Sequence, residues 1–224
     1  MWRDRTKVLI GESGVNKLKN SHVCIVGIGG VGGYVCTILA RAGVGKMTLV
    51  DFDCVDVTNI NRQVVAFSDT VGKLKTEVMR DLISKINPSC EVNIFSLRFD
   101  ANLAEVLFRE KFNYVIDAID SVNDKVELID YCKKHDINII SAMGAGNRKN
   151  IPQFHVLDIY KTSNDGLARV MRQRLRKRQV DSLDVVTSVD KAEKTAENVV
   201  GSISYYPAMC GCVLGAFVIN KLIS

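Results

Sequence analysis

His22-Val-Cys-Ile-Val-Gly27-Ile-Gly-Gly-Val-Gly32 decides the fold of this chain. A short apolar run, His22 to Val26, is stopped by glycines, which reads as a strand buried on both faces. Tyr34 to Ala42 reads as a helix with Gly43 as its C-cap. Met47 to Val50 makes a second strand, and Asp51-Phe-Asp53 follows it. Strand, glycine turn, helix, strand and acid together form a βαβ nucleotide-binding unit. Within it Gly27, Gly29, Gly30 and Gly32 make a turn at a helix N-terminus, where free N–H groups and the dipole favour a phosphate. Asp51, 24 residues after Gly27, is placed to bind ribose hydroxyls. Asp53 is a second ribose or loop contact, or only a loop acid.

The pattern continues outward. The sequence predicts helices over 71–86, 101–108 and 124–135, and strands over 91–97, 114–118 and 137–141. Alternation of this kind specifies an α/β, Rossmann-like, doubly wound and mainly parallel sheet. After Gly144-Ala-Gly146 the pattern changes to a C-terminal extension. It holds an edge strand (154–159), a basic helix (167–177), a polar loop (187–198) and a closing helix (207–222). No proline-rich or glycine/serine-rich linker divides the chain. The expectation is one domain over 1–224, with a nucleotide-binding core at 22–146 and a substrate-side extension at 147–224.

The 224 residues are 47% hydrophobic and 25% charged, which suits a globular core rather than a disordered chain. The weakly charged stretch 205–219 is short for a bilayer span and holds Pro207, so a buried helix is expected and no membrane partner. Met1-Trp-Arg-Asp-Arg5 lacks the apolar core of a signal peptide. Seven cysteines contain no Cys-x-x-Cys pair, so structural zinc is not expected. Their odd number points to a reducing, cytoplasmic setting. Cys210 and Cys212 stand beside Gly211 and Gly215, a spacing that suits close helix packing rather than thiol catalysis. His22, His135 and His155 are isolated and lack metal-ligand spacing.

Two cations follow the ribose site. Arg62 can fork onto phosphate oxygens, and Lys75, thirteen residues later, supplies a point charge. The pair suits a triphosphate better than a pyrophosphate bridge, which argues against an NAD(P)-dependent oxidoreductase. Asp120 follows a strand, where a carboxylate can hold Mg²⁺ with phosphate oxygens.

Gly27-Ile-Gly-Gly-Val-Gly32, Asp51-Phe-Asp53, Asn59-Ile-Asn-Arg-Gln63, Gly72-Lys-Leu-Lys75 and Asp117-Ala-Ile-Asp120 together resemble the ThiF/MoeB/HesA superfamily, the relatives of ubiquitin-activating enzymes. The resemblance implies ATP as cofactor, with Asp51 on ribose, Asn59, Arg62 and Lys75 on phosphates, and Asp120 linked to Mg²⁺. It also implies a homodimer in which Arg5 reaches the phosphates of the other subunit. Asp117-Ala-Ile-Asp-Ser121, Gly144-Ala-Gly146, Asp158-Ile-Tyr-Lys-Thr162, Asn164-Asp-Gly-Leu-Ala168, Gly201-Ser-Ile-Ser204 and Pro207 resemble one branch in particular. Its members activate the carboxylate of threonylcarbamoyladenosine in tRNA and cyclise it with release of AMP and pyrophosphate. Sulfur-transfer partner proteins stay unassigned by this resemblance.

Arg169, Arg172, Arg174, Arg176, Lys177 and Arg178 place six cations in ten residues with no acid between them. Leu167, Met171 and Leu175 recur at four-residue spacing, so the helix can dock one side and present cations on the rest. That surface suits an RNA phosphate backbone. Adenylation of a ubiquitin-like sulfur carrier is the competing reading within the superfamily.

Overall fold

The computed structural model of the chain describes residues 2–193 and 199–224. Seven strands, β1 (His22–Val26), β2 (Lys46–Val50), β3 (Glu91–Phe95), β4 (Tyr114–Asp117), β5 (Ile139–Ala142), β6 (Phe154–Asp158) and β7 (Asp184–Ser188), form one sheet. Their order is β3-β2-β1-β4-β5-β7-β6, and only β6 runs antiparallel, against β7 at the sheet edge. The chain winds outward from β1 to β3, then returns to the other side of β1 at β4. That reversal opens a crevice beyond the C-terminal ends of β1 and β4.

Helices α1 (Asp4–Lys19), α2 (Gly32–Ala42), α3 (Lys75–Ile86) and α7 (Tyr205–Ile223) pack on one face of the sheet; α4 (Ala101–Leu107), α5 (Val122–Lys134) and α6 (Gly166–Lys177) pack on the other. β1 shows why its sequence is continuously apolar. Val23 and Ile25 point into the first core, Cys24 and Val26 into the second. With both faces covered, polar alternation has no place.

Three elements differ from the sequence-based expectation. α1 was not anticipated, because Gly11 and Gly14 interrupt it and only Gly14 and Leu18 are buried, so no apolar stripe marks it. α3 starts at Lys75 instead of 71: Gly72 takes φ +86°, Leu74 is extended, and Val55 N–H donates to the Lys73 carbonyl at 2.8 Å. β7 is not among the strands expected from sequence, and it takes Thr187 and Ser188 from the stretch expected as polar loop. Both are buried, and Ser188 Oγ lies 2.7 Å from the Tyr206 hydroxyl, so a polar strand end is satisfied internally. Residues 194–198 of that expected loop lie outside the described residues.

α7 is long and apolar enough to cross a membrane by length and composition. In the structure it lies against α2 and buries Cys210, Leu214 and Val218 in the core. The contact depends on small residues. A Cβ at Gly211 would stand 2.5 Å from the Val31 carbonyl oxygen, and one at Gly215 would stand 2.8 Å from Ile38 Cγ2. Gly211→Val should therefore destabilise the fold by about 1–3 kcal/mol, as overpacking does. Thermal melting should show a loss of several degrees, and an unchanged melting temperature would contradict this packing.

Candidate active site

A cleft of about 800 Å³ lies at the reversal point of the sheet. It is lined by the glycine turn after β1, by Asp51 to Asp53 after β2, by Leu97 to Phe99 after β3, by Ala118 to Asp120 after β4 and by Met143 to Gly146 after β5. Each segment leaves the C-terminal end of its strand, so the fold itself collects them. The volume suits a nucleotide.

The glycines have separate causes. Gly27 has φ +94°, and a Cβ there would stand 2.5 Å from the Ala118 carbonyl oxygen. Gly32 supports the same turn from beneath, since its Cβ would stand 1.8 Å from the Gly27 oxygen. Gly29 is different. A Cβ there would meet only Gln63 Nε2, at 3.8 Å, so the protein interior does not require it. Gly29 borders the cleft, where a missing side chain leaves backbone open to a ligand.

Asp51 fixes this turn. Its carboxylate accepts the Ile28 N–H at 2.6 Å and the Asp53 N–H at 2.8 Å. Burial pushes its pKa up, against the lowering effect of those two amides and of Lys75. Lys75, the first residue of α3, is buried and reaches Asp53 Oδ2 at 2.7 Å. Arg62 is half-buried and donates through Nη1 to the Thr58 carbonyl and to Asn61 Oδ1, both at 2.8 Å. Asp120 is exposed at the cleft, makes no side-chain hydrogen bond or ion pair among the described residues, and feels the charge of Arg98. Beneath it, Asp117 is fully buried. Its Oδ2 accepts Lys125 Nζ at 2.7 Å and Ser141 Oγ at 2.5 Å, and its Oδ1 accepts the Ile119 N–H at 3.1 Å.

Gly27, Gly29, Gly30, Asp51, Asp53, Arg62, Lys75 and Asp120 thus border one cleft. Other expected site residues do not. Asn59 is buried within its loop, where its Oδ1 accepts the Asp56 N–H at 3.2 Å in a reciprocal cap, and it does not border the cleft. Gly32 lies under the turn rather than against the opening. Arg5 is exposed on α1, away from the cleft of its own chain.

The basic helix needs a sharper correction. Arg172 is turned inward onto the Thr162 carbonyl and hydroxyl. Arg178 pairs with Asp130 at 2.8 Å and with Glu127 at 2.5 Å, so acids on α5 that are distant in sequence neutralise it. Arg176 lies over the Tyr160 ring, 5.1 Å from its centroid. Arg169, Arg174 and Lys177 remain exposed and unpaired among the described residues. Leu175, Met171 and Ala168 form the docked side.

Several lining residues escaped the sequence reading. Gln63 is buried at the cleft, and its Oε1 has no hydrogen-bond partner among the described residues. Arg98 makes a bidentate contact with Asp124, at 2.8 and 3.1 Å, and faces the Phe52 ring at 5.9 Å. The rule that ligands gather after strand ends points to Leu97-Arg-Phe99 as to Asp120. Arg148 forms a buried pair with Asp165 in the cleft wall; Asp165 lies in the quoted Asn164-to-Ala168 motif, but no local pattern marks Arg148. The cysteines behave as core residues: burial pushes the Cys210 thiol up to about 12 and also raises Cys212. Among the described residues no cluster of His, Cys, Asp or Glu is suited to hold a metal by itself.

Comparison with known proteins agrees with this geometry. The ThiF family matches residues 3–224. The tRNA threonylcarbamoyladenosine dehydratase of Bacillus subtilis is 36% identical over 98% of this chain and 93% of its own length. That of Escherichia coli is 42% identical over 78% of this chain and 66% of its own length. A crystal structure of the E. coli enzyme, TcdA, in complex with ATP superposes with a TM-score of 0.92 at 36% identity, covering 99% of this chain and 95% of that one. With a sheet, a glycine turn and a cleft of this kind, and a match that runs nearly end to end, the chain belongs to the ThiF family, among relatives named tRNA threonylcarbamoyladenosine dehydratase.

Proposed function

We propose that this chain uses ATP to adenylate the carboxylate of threonylcarbamoyladenosine in tRNA and then closes the ring, releasing AMP and pyrophosphate. One observation carries the RNA half of this reading. Asp165, Gly166 and Leu167, where α6 begins, are themselves part of the cleft wall. The helix that presents Arg169, Arg174 and Lys177 therefore starts at the site of chemistry.

In this reading the Gly27–Gly30 turn receives phosphate and Asp51 receives ribose hydroxyls. Lys75 exchanges Asp53 for a phosphate oxygen, and Arg62 forks onto others. Asp120 fits a Mg²⁺ ion, because its carboxylate is free, borders the cleft and needs only phosphate and water as further ligands. Bound there, the ion would draw charge from the phosphate oxygens. The substrate carboxylate forms a bond to the α-phosphorus, and pyrophosphate leaves with the electrons of the broken P–O bond. A nitrogen of the same nucleoside then attacks the acyl carbon and loses its proton. AMP departs carrying the former carboxylate oxygen, so the nucleoside loses one water in total. No thiol takes part, in keeping with the raised Cys210 and Cys212. Homodimerisation, with Arg5 serving a neighbouring cleft, belongs to the same proposal; Arg5 stands on α1 beside Val8 and Leu9, both largely exposed.

The triple variant Arg169→Ala/Arg174→Ala/Lys177→Ala tests the RNA surface. Affinity for modified tRNA should fall about tenfold at moderate salt, and the dependence of log K on log salt should flatten by about 2 units, since each lost phosphate contact removes roughly 0.7–0.9. ATP affinity should not change. An unchanged salt slope would refute RNA contact through this helix. Arg172→Ala, which breaks an internal contact, should instead lower the melting temperature.

A further inference from the structure

We infer that Arg148 is a positioning residue that shapes the acyl-acceptor wall of the cleft; the inference rests on the reading of the function above. Arg148 is buried, with only 3% of its side chain accessible, and it lies where the nucleotide core meets the C-terminal extension. Its guanidinium is fully committed. Nε donates to the Asp190 carbonyl at 2.9 Å. Nη1 donates to the carbonyls of Gly144 at 2.6 Å and Gly146 at 3.4 Å. Nη2 faces the Asn164 carbonyl at 3.5 Å and Asp165 Oδ2 at 3.4 Å. Five N–H groups meet five acceptors, so none is left for substrate.

What this fork organises is the wall itself. Gly144 to Gly146 border the cleft on one side, and Asp165 to Leu167 border it where the RNA-facing helix begins. Asp165 ties the two together: its Oδ2 accepts the Gly144 N–H at 2.9 Å while its Oδ1 caps α6 through the Ala168 N–H at 2.9 Å. Holding the Gly144 carbonyl on Arg148 has a further consequence. The peptide is trans, so the Ala145 N–H points away from the guanidinium. Among the described residues that N–H has no acceptor, and Ala145 borders the cleft. The wall thus offers a backbone donor to an oxygen of the group being activated, at a position set by Arg148. None of the Arg148 contacts involves the glycine turn, Asp51, Arg62 or Lys75, so ATP binding is not expected to depend on them.

A lysine cannot reproduce this fork, since its three donors leave one nitrogen. Arg148→Lys should lower kcat on tRNA bearing threonylcarbamoyladenosine by about 30-fold or more, because misplacing a positioned group by about an ångström costs on the order of 10²-fold. KM for that tRNA and the Kd for ATP should each stay within about threefold. Asp165→Asn keeps the Oδ1 cap on α6 but sets an amide donor against the Gly144 N–H and Arg148 Nη2 and removes the charge facing the guanidinium, so it should lower kcat in the same direction at some cost in stability. Should Arg148→Lys fail to fold, Asp165→Asn alone decides the matter. Undiminished kcat in these variants, or a loss of kcat matched by an equal loss of ATP affinity, overturns the inference. Wild-type protein run in parallel separates the two levels: if it does not act on modified tRNA, the dehydratase reading falls, and the role given to this wall falls with it.

Discussion

Lys75→Met should lower AMP formation from ATP by about 10²–10³-fold, the usual effect of removing one preorganised charge from a reacting group. Among the described residues Lys75 is the one buried ammonium bordering the cleft, and its partner is Asp53. When ATP enters, phosphate oxygens replace that carboxylate. The negative charge that grows as pyrophosphate separates then faces Nζ directly, while Arg62, anchored through Nη1 on Thr58 and Asn61, keeps Nε and Nη2 for other phosphate oxygens. The fold should survive the change. The Asp53 side chain is 47% accessible and can hydrate once it loses its partner. Steady-state assays should show the loss mainly in kcat, with a melting temperature within a few degrees of wild type. Activity within threefold of wild type would remove Lys75 from the chemistry.

Lys125→Met should cost about 3–5 kcal/mol of stability, because it leaves a buried carboxylate without its counter-charge. Both side chains of the Lys125–Asp117 pair have no accessible surface, and the pair sits at the C-terminal end of β4 directly under Ala118 to Asp120. Ser141 Oγ and the Ile119 N–H would remain as donors to Asp117, so the carboxylate would be partly, not fully, abandoned. Adding Asp117→Asn should restore much of the loss, since a neutral amide needs no counter-ion. Denaturant titration of the single and double variants measures this. A loss below about 1 kcal/mol in the single variant would mean that water or a shifted side chain compensates the charge.

The nucleotide half of the molecule was legible because its signals are local. A strand buried on both faces, a glycine turn and an acid after the next strand are separated by fixed numbers of residues, and the fold converts that spacing into one crevice. Asp120 is legible for the same reason, since a strand end marks the crevice, whereas Lys75 is marked by its spacing after Arg62 and by Gly72-Lys-Leu-Lys75, within a helix expected to begin at 71. The extension was less legible because its structure depends on pairs distant in sequence. Arg178 reads as a free cation until α5 supplies Glu127 and Asp130, and Arg172 reads likewise until Thr162 is folded against it. Asn59 carries the expected identity, yet its loop uses the carboxamide as a cap. Arg148 shows the limit most clearly: four of its five acceptors are backbone carbonyls, and a carbonyl leaves no mark on sequence.

The most direct measurement is mass spectrometry of the nucleosides after the purified protein acts on tRNA with ATP, with AMP quantified alongside. Two tRNAs are compared, one bearing threonylcarbamoyladenosine and one lacking it. The expected result is loss of one water from the modified nucleoside, with one AMP per dehydration and no AMP above background from the unmodified tRNA. An unaltered nucleoside, with AMP released only when a ubiquitin-like carrier protein is supplied, would leave the fold and ATP cleft standing and contradict the assignment of tRNA as substrate.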